Sequence, residues 1–189
     1  MFVNTPLEAS EILNMGEVLA YPTEAVWGLG CDPMNKDAFY KILKLKQRPI
    51  EKGVILLASH ISQVEPLFEN ISQEIQQRII ESWAAKSSSE RATTWLLPAN
   101  NFIPEWIKGN HLSVAVRVTQ HPLCREICNQ FNNFIVSTSA NPAGETPAKN
   151  WQEAQAYFAN NVHYLNGEIG KCTEPSQIID AVTGKFIRN

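Results

Sequence analysis

Four short segments of this 189-residue chain carry side chains suited to holding a charged small molecule. The first is Tyr21-Pro22-Thr23-Glu24-Ala25-Val26-Trp27-Gly28-Leu29-Gly30, where an apolar strand ends in a hydroxyl and then two glycines. Ligands of α/β sheets lie at such carboxyl ends of strands. The glycine spacing fits neither the dinucleotide nor the P-loop fingerprint, and a plain Pro/Gly turn is the competing reading. The second is Lys41 to Gly53, within a window from Lys36 to Lys52 that has six basic residues against two acids. Lys41, Lys44 and Arg48 fall on one stripe that a solvated helix face would explain. Lys46 and Arg48 differ, because Pro49 forces the chain to extend there. A lysine point charge beside a planar arginine fork suits a polyphosphate.

The third segment, Ser137-Thr138-Ser139-Ala140-Asn141-Pro142-Ala143-Gly144, follows the apolar run Phe134-Ile135-Val136. Its hydroxyls and amide could fix an adenylate or an amino-acid head group, or could simply bond their own turn. The fourth is Arg117, alone among apolar residues in Val114 to Val118, which must reach solvent or meet an anion. No GxSxG, HExxH or CxxC occurs, and the four histidines show no triad or metal spacing. Cys124 and Cys128 share a helical stripe with Ile127 and Phe131 and read as core thiols rather than as zinc ligands with His121. Hydroxyls, an amide and cations without an obvious nucleophile suit chemistry done by positioning and charge neutralisation, as in nucleotidyl transfer.

Alternating elements must hold these segments. Helical patterns run from Thr5 or Pro6 to Gly16, over Asp37–Gln47, 61–69 and 71–83, from Pro122 through Phe131, and over Asn150–Asn160. Strand patterns cover Val18–Tyr21, Gly53–Ala58, Thr93–Leu97, Ser113–Val118 and Phe134–Ser137, and Gln177–Ile187 reads as a hairpin turning at Thr183-Gly184. Ala84–Arg91 is the most loop-like stretch. The alternation predicts an α/β fold with helices packed on a mixed sheet. With 44% hydrophobic and 19% charged residues the chain is of ordinary globular composition, and a net charge of −3 argues against a protein that coats nucleic acid. No signal peptide, membrane span or disulfide framework is evident, so a reducing cytoplasmic setting is expected.

Taken in order, Ala20-Tyr-Pro-Thr-Glu-Ala-Val-Trp-Gly-Leu-Gly30, Lys46-Gln-Arg-Pro49, Val114-Ala-Val-Arg117 and Ser137-Thr-Ser-Ala-Asn141 resemble the YrdC/TsaC family of L-threonylcarbamoyladenylate synthases. The resemblance runs from about residue 10 to residue 188. It implies a twisted mixed β-sheet flanked by helices around a basic concave cleft, and one catalytic YrdC-like domain over residues 1–189. It also implies a reaction: L-threonine, bicarbonate and ATP give threonylcarbamoyl-AMP and pyrophosphate. TsaB, TsaD and TsaE then pass the threonylcarbamoyl group to adenosine 37 of tRNA, releasing AMP and giving t6A.

The site residues are likewise implied by the resemblance. Lys46 and Arg48 match the catalytic pair on the ATP phosphates, and Arg117, Ser139, Asn141 and Arg188 match further ATP contacts. Thr23, Thr94, Ser139 and Ser176 match contacts to threonine. Mg2+ is expected to arrive with ATP, and no structural metal is expected. The sequence departs from the family pattern at Arg91-Ala92-Thr93, Lys52-Gly53 and Arg188-Asn189. A module that binds double-stranded RNA or tRNA in the same cleft is the alternative, favoured by the basic window and opposed by the net acidity.

Overall fold

The computed structural model describes residues 1–84 and 89–189; four residues of the loop-like 84–91 stretch therefore lie outside it. Local chemistry sets the helix ends. Helix α1 (Pro6–Asn14) opens on Thr5, whose hydroxyl accepts from the Glu8 N–H while the Glu8 carboxylate accepts from the Thr5 N–H. This reciprocal pair satisfies two N–H groups that the first turn would leave orphaned. Helix α2 (Lys36–Lys46) is capped by Asn35 and stops at Gln47, which takes a left-handed φ of 51°. The other helices are α3 (Gln73–Ala84), the single turn α4 (Glu105–Lys108), α5 (Pro122–Phe131) and α6 (Trp151–Phe158). The helix expected over 61–69 is instead two 3-10 turns, Ile61–Gln63 and Glu65–Phe68; Pro66, interior to the expected helix, has no N–H to donate one turn back, so no continuous α-helix runs through it.

The strands are β1 (Phe2–Val3), β2 (Leu19–Pro22), β3 (Trp27–Gly30), β4 (Ile55–Ala58), β5 (Thr93–Pro98), β6 (Ser113–Val118), β7 (Ile135–Ser139), β8 (His163–Leu165), β9 (Gln177–Asp180) and β10 (Phe186–Arg188). They form one mixed sheet in the order β1-β8-β2-β3-β7-β4-β6-β5-β9-β10. Helices flank it, as the alternating pattern predicted. Strand β7 joins its two halves: Ile135–Ser137 pair with β4, whereas Thr138 and Ser139 pair with β3. The hairpin expected near the C-terminus is formed by β9 and β10, with Gly184 at φ 71° and the Asp180 carboxylate accepting from the N–H groups of Val182 and Thr183.

Register explains where a site can open. One sheet face carries Ala20, Leu29, Leu56, Val116 and Val136, packed on Phe39, Ile42, Ile79 and Trp83 of α2 and α3. The other carries Leu19, Tyr21, Leu57 and Ile135, covered by Leu13 of α1 and by Cys124, Ile127 and Cys128 of α5. That cover stops short. Leu57 pairs with Arg117, and Ile55 pairs with Ala115 and Ser137, so these residues continue the second face past the reach of those two helices. Leu96 extends it across β5. Among the described residues, no helix is long and apolar enough to cross a membrane.

Candidate active site

On that uncovered face lies a cavity of about 390 Å³. Its wall includes Thr23 and Gly28 from the β2–β3 hairpin, Ser137–Ser139 from β7, and Ser176 from the loop before β9. Five cations line it, Arg48, Lys52, Lys108, Arg117 and Arg188, and no described lining residue is a carboxylate. Such a wall is built for an anion, with hydroxyls to orient its uncharged parts.

The hairpin turn is tight. The Thr23 N–H and hydroxyl both donate to the Val26 carbonyl, at 3.0 and 2.7 Å. The glycines after it do not form a ligand loop, as a strand end followed by glycines had suggested; they lie within β3, paired with β2. The Tyr21 ring accounts for them. It lies over Gly28 and Gly30, where an added Cβ would sit 3.3 Å and 3.0 Å from ring atoms. At Gly30 that Cβ would also come within 2.3 Å of the Val136 carbonyl on β7. Only glycine lets β3 run between an aromatic ring and the neighbouring backbone. Gly28 still lines the cavity.

Arg117 meets an anion. Its Nη2 lies 3.3 Å from Oε2 of Glu24, and both side chains are buried. Burial alone would raise the Glu24 carboxyl, but Arg117 and the Thr119 hydroxyl, donating at 2.6 Å, hold it below the usual carboxylate range. Sequence reasoning singled out Arg117 and missed Glu24. The signal was present in the acid directly after Thr23, flanked by Ala25 and Val26 in an otherwise apolar segment.

Lys46 and Arg48 part company at Gln47. The left-handed turn there sends Arg48 to the cavity, where Nη2 donates to the carbonyls of Lys52 and Gly53 at 3.2 and 2.9 Å. Its Nε is buried with no hydrogen-bond partner among the described residues, and burial lowers its pKa. Lys46 points inward and does not line the cavity. Its ammonium donates to the carbonyls of Ser139 and Asn141, and its own carbonyl accepts from the Ala143 N–H at 2.7 Å. Burial, with Arg48 adding repulsion, pushes the Lys46 amine down to about 7.

The remaining residues form a second relay. The Thr94 hydroxyl donates to Ser176 Oγ at 2.9 Å, and Arg188 donates to the Ser176 carbonyl and hydroxyl at 2.7–3.0 Å. Burial, then repulsion from Arg117 and Arg91, lowers the Arg188 pKa. Of the residues singled out from sequence, Thr23, Arg48, Arg117, Ser139, Ser176 and Arg188 line the cavity. Lys46, Asn141 and Thr94 do not; Lys46 and Thr94 hydrogen-bond directly to lining residues. Asn141 ties its own loop by donating to the carbonyls of Pro142 and Glu145 at 2.9 and 2.7 Å. Lys108 stood in no motif, and only its place beyond the buried Ile107 brings it to the wall. Cys124 and Cys128 are buried free thiols, donating to the carbonyls of Pro22 and Leu57. No group of three or more His, Cys, Asp or Glu placed to hold a metal occurs among the described residues.

Known proteins share this architecture. Residues 11–189 match the family profile Sua5/YciO/YrdC, described as telomere recombination. A threonylcarbamoyl-AMP synthase from Acinetobacter baumannii is 62% identical over 188 residues, covering 100% of both chains. One from Cellvibrio japonicus is 44% identical, covering 95% of this chain and 93% of its own. Sua5 of P. abyssi, solved in complex with L-threonine, superposes with a TM-score of 0.84 at 23% identity, covering 95% of this chain and 54% of that one. YciO of E. coli superposes with a TM-score of 0.76 at 18% identity, covering 100% of this chain and 97% of its own. The two structures speak for the fold, and this chain spans little more than half of the P. abyssi protein. With a family profile matched over nearly its whole length and a relative at 62% identity end to end, the chain belongs to the Sua5/YciO/YrdC family.

Proposed function

We propose that this protein is a threonylcarbamoyl-AMP synthase, an enzyme that joins L-threonine, bicarbonate and ATP and releases pyrophosphate. The observation that carries the reading is a cavity with five cations, several hydroxyls and no described carboxylate, in a chain so close to relatives of that name. Bicarbonate gives CO2 and hydroxide, the threonine nitrogen bonds to the CO2 carbon, and the proton it loses joins the hydroxide as water, leaving a carbamate. A carbamate oxygen then attacks the α-phosphorus of ATP, and the bond to the β-phosphate oxygen breaks as pyrophosphate leaves. The carbamate is a weak nucleophile, so the enzyme's task is alignment. Holding two reactants in line supplies on the order of 7–11 kcal/mol.

In this reading Arg48, Arg117 and Arg188 take the negative charge of the phosphates and of the leaving pyrophosphate, with Lys52 at the rim. Thr23, Ser139 and Ser176 orient the amino acid and the adenylate. Lys46 and Asn141 act one layer behind, fixing the 139–143 loop, and Thr94 fixes Ser176. The wall offers no carboxylate among its described lining residues, so Mg2+ entering with ATP would be held by phosphate oxygens and water. The adenylate product suits hand-over to the TsaB, TsaD and TsaE proteins for t6A formation, in the cytoplasm.

The RNA-binding alternative is not favoured, because a cavity of about 390 Å³ has the size of a small-molecule site rather than a duplex groove. The test is incubation with ATP and bicarbonate, with and without threonine, following pyrophosphate and filter-bound RNA together. Threonine-dependent pyrophosphate without RNA is the expected result. Tight, salt-sensitive RNA binding without turnover overturns the reading.

A further inference from the structure

We propose that Glu24 is a positioning residue of this site, a buried carboxylate that sets the aim of the Arg117 guanidinium at the nucleotide. The proposal deepens the synthase reading and rests on it. Glu24 sits on the same tight turn as Thr23, and Arg117 sits on β6, so the pair ties the hairpin turn to the cationic wall.

The carboxylate is itself fixed. Its Oε1 accepts from the Thr119 hydroxyl at 2.6 Å and from the Gln120 N–H at 3.3 Å. Its Oε2 faces Arg117 and has no hydrogen-bond partner among the described residues. Its backbone is pinned as well. The loop after β8 crosses over it, with Gly170 donating to the Thr23 carbonyl and Cys172 to the Glu24 carbonyl. A Cβ at Gly170 would lie 2.7 Å from that Glu24 carbonyl oxygen, so the loop presses directly on this residue. Thr119 is two residues beyond Arg117, so one short segment both holds the carboxylate and presents the guanidinium.

Stability alone does not call for this arrangement, since a buried ion pair is often matched by apolar residues of similar volume. What an apolar pair cannot do is hold a cation by one nitrogen, Nη2, while its side chain still lines the cavity. Neutralising Glu24 leaves Arg117 with its full charge and an unmet need for an anion, but with its direction no longer set. Ground-state nucleotide binding is then kept and alignment for in-line attack is lost.

The test uses Glu24→Gln, which keeps shape and an acceptor for Thr119. Three quantities are measured: thermal midpoint, ATP affinity by calorimetry, and kcat for threonine-dependent pyrophosphate release. The expected result is a fall in kcat of about tenfold or more, with ATP affinity within about threefold of the parent. Glu24→Asp, which restores the charge, recovers part of kcat. In an Arg117→Lys background Glu24→Gln costs less than about twofold more, because both act through one group. Parental kcat, a parallel loss of kcat and ATP affinity, or additivity with Arg117→Lys overturns the proposal. If Glu24→Gln does not fold, Thr119→Val, which keeps both charges, is read the same way, and a parental kcat there overturns it. Turnover of the parent protein is scored separately: without it the synthase reading fails, whatever the variants do.

Discussion

The Lys46 ammonium donates to the backbone carbonyl of Asn141 at 2.7 Å, joining residues 95 positions apart in sequence. The partner is a peptide oxygen rather than a carboxylate, so the charge is solvated but not neutralised. Buried in this way, the amine has a pKa of about 7. Between that value and the ordinary lysine value, the unfolded chain holds a proton that the folded chain has partly released. Stability therefore rises with pH across this window and falls as pH drops toward 7. Urea titrations of the parent and of Lys46→Met at pH 7 and pH 9 are expected to show stability shifting more favourably with pH in the parent than in the variant. Other titrating groups are common to both proteins, so their difference isolates Lys46.

Arg48 offers the cavity a guanidinium tied to two backbone carbonyls on its own loop. Arg48→Ala is expected to lower threonine-dependent pyrophosphate release by about 10²-fold or more, with a small change in thermal midpoint. Arg48→Lys restores the charge without the fork and recovers only part of the activity. Parental turnover in Arg48→Ala would remove this residue from the phosphate site.

Thr94 does not line the cavity, so any effect it has passes through Ser176. Ser176→Ala is expected to raise the threonine KM by about tenfold, the worth of a hydrogen bond to a charged group. Thr94→Val should raise it less, and the double variant should match Ser176→Ala alone. Steady-state kinetics at saturating ATP measure all three.

Gly30 has no room for a side chain. Gly30→Ala puts a methyl against the Val136 carbonyl and the Tyr21 ring, and about 3 kcal/mol of stability is expected to be lost by overpacking. Gly30→Ala combined with Tyr21→Leu relieves the ring contact but not the carbonyl contact. The combination is therefore expected to recover little in urea unfolding, which would place the constraint in the backbone.

Much of this architecture was legible in the sequence. The apolar runs Gly53–Ala58 and Ser113–Val118 announce β4 and β6, and Thr5 or Pro6 before helically spaced Leu7, Ile12 and Leu13 announces α1. Strand β3 was hidden because its two glycines read as a turn; they are strand residues only because Tyr21, on the facing strand, occupies the space their side chains would need. Strands β1 and β8 are two and three residues long, too short for periodicity to register. For the site, spacing singled out the cations but not their orientation. Lys46 and Arg48 are separated by one residue, yet a single left-handed φ at Gln47 turns one to the protein interior and the other to the cavity. No motif contains that angle.

The strand order has a kinetic consequence. Among the described strands, only β2–β3, β5–β6 and β9–β10 pair strands that follow one another in the chain; the other described pairings close long loops. The entropy of those closures is lost before their contacts reward it, which places refolding in the millisecond-to-second range. The cavity draws on residues from Thr23 to Arg188, so it forms only when the distant strands have met. Saturating ATP is therefore expected to slow unfolding in stopped-flow measurements while leaving the refolding rate unchanged. A nucleotide that also hastened refolding would mean that the cavity walls meet before the barrier is crossed.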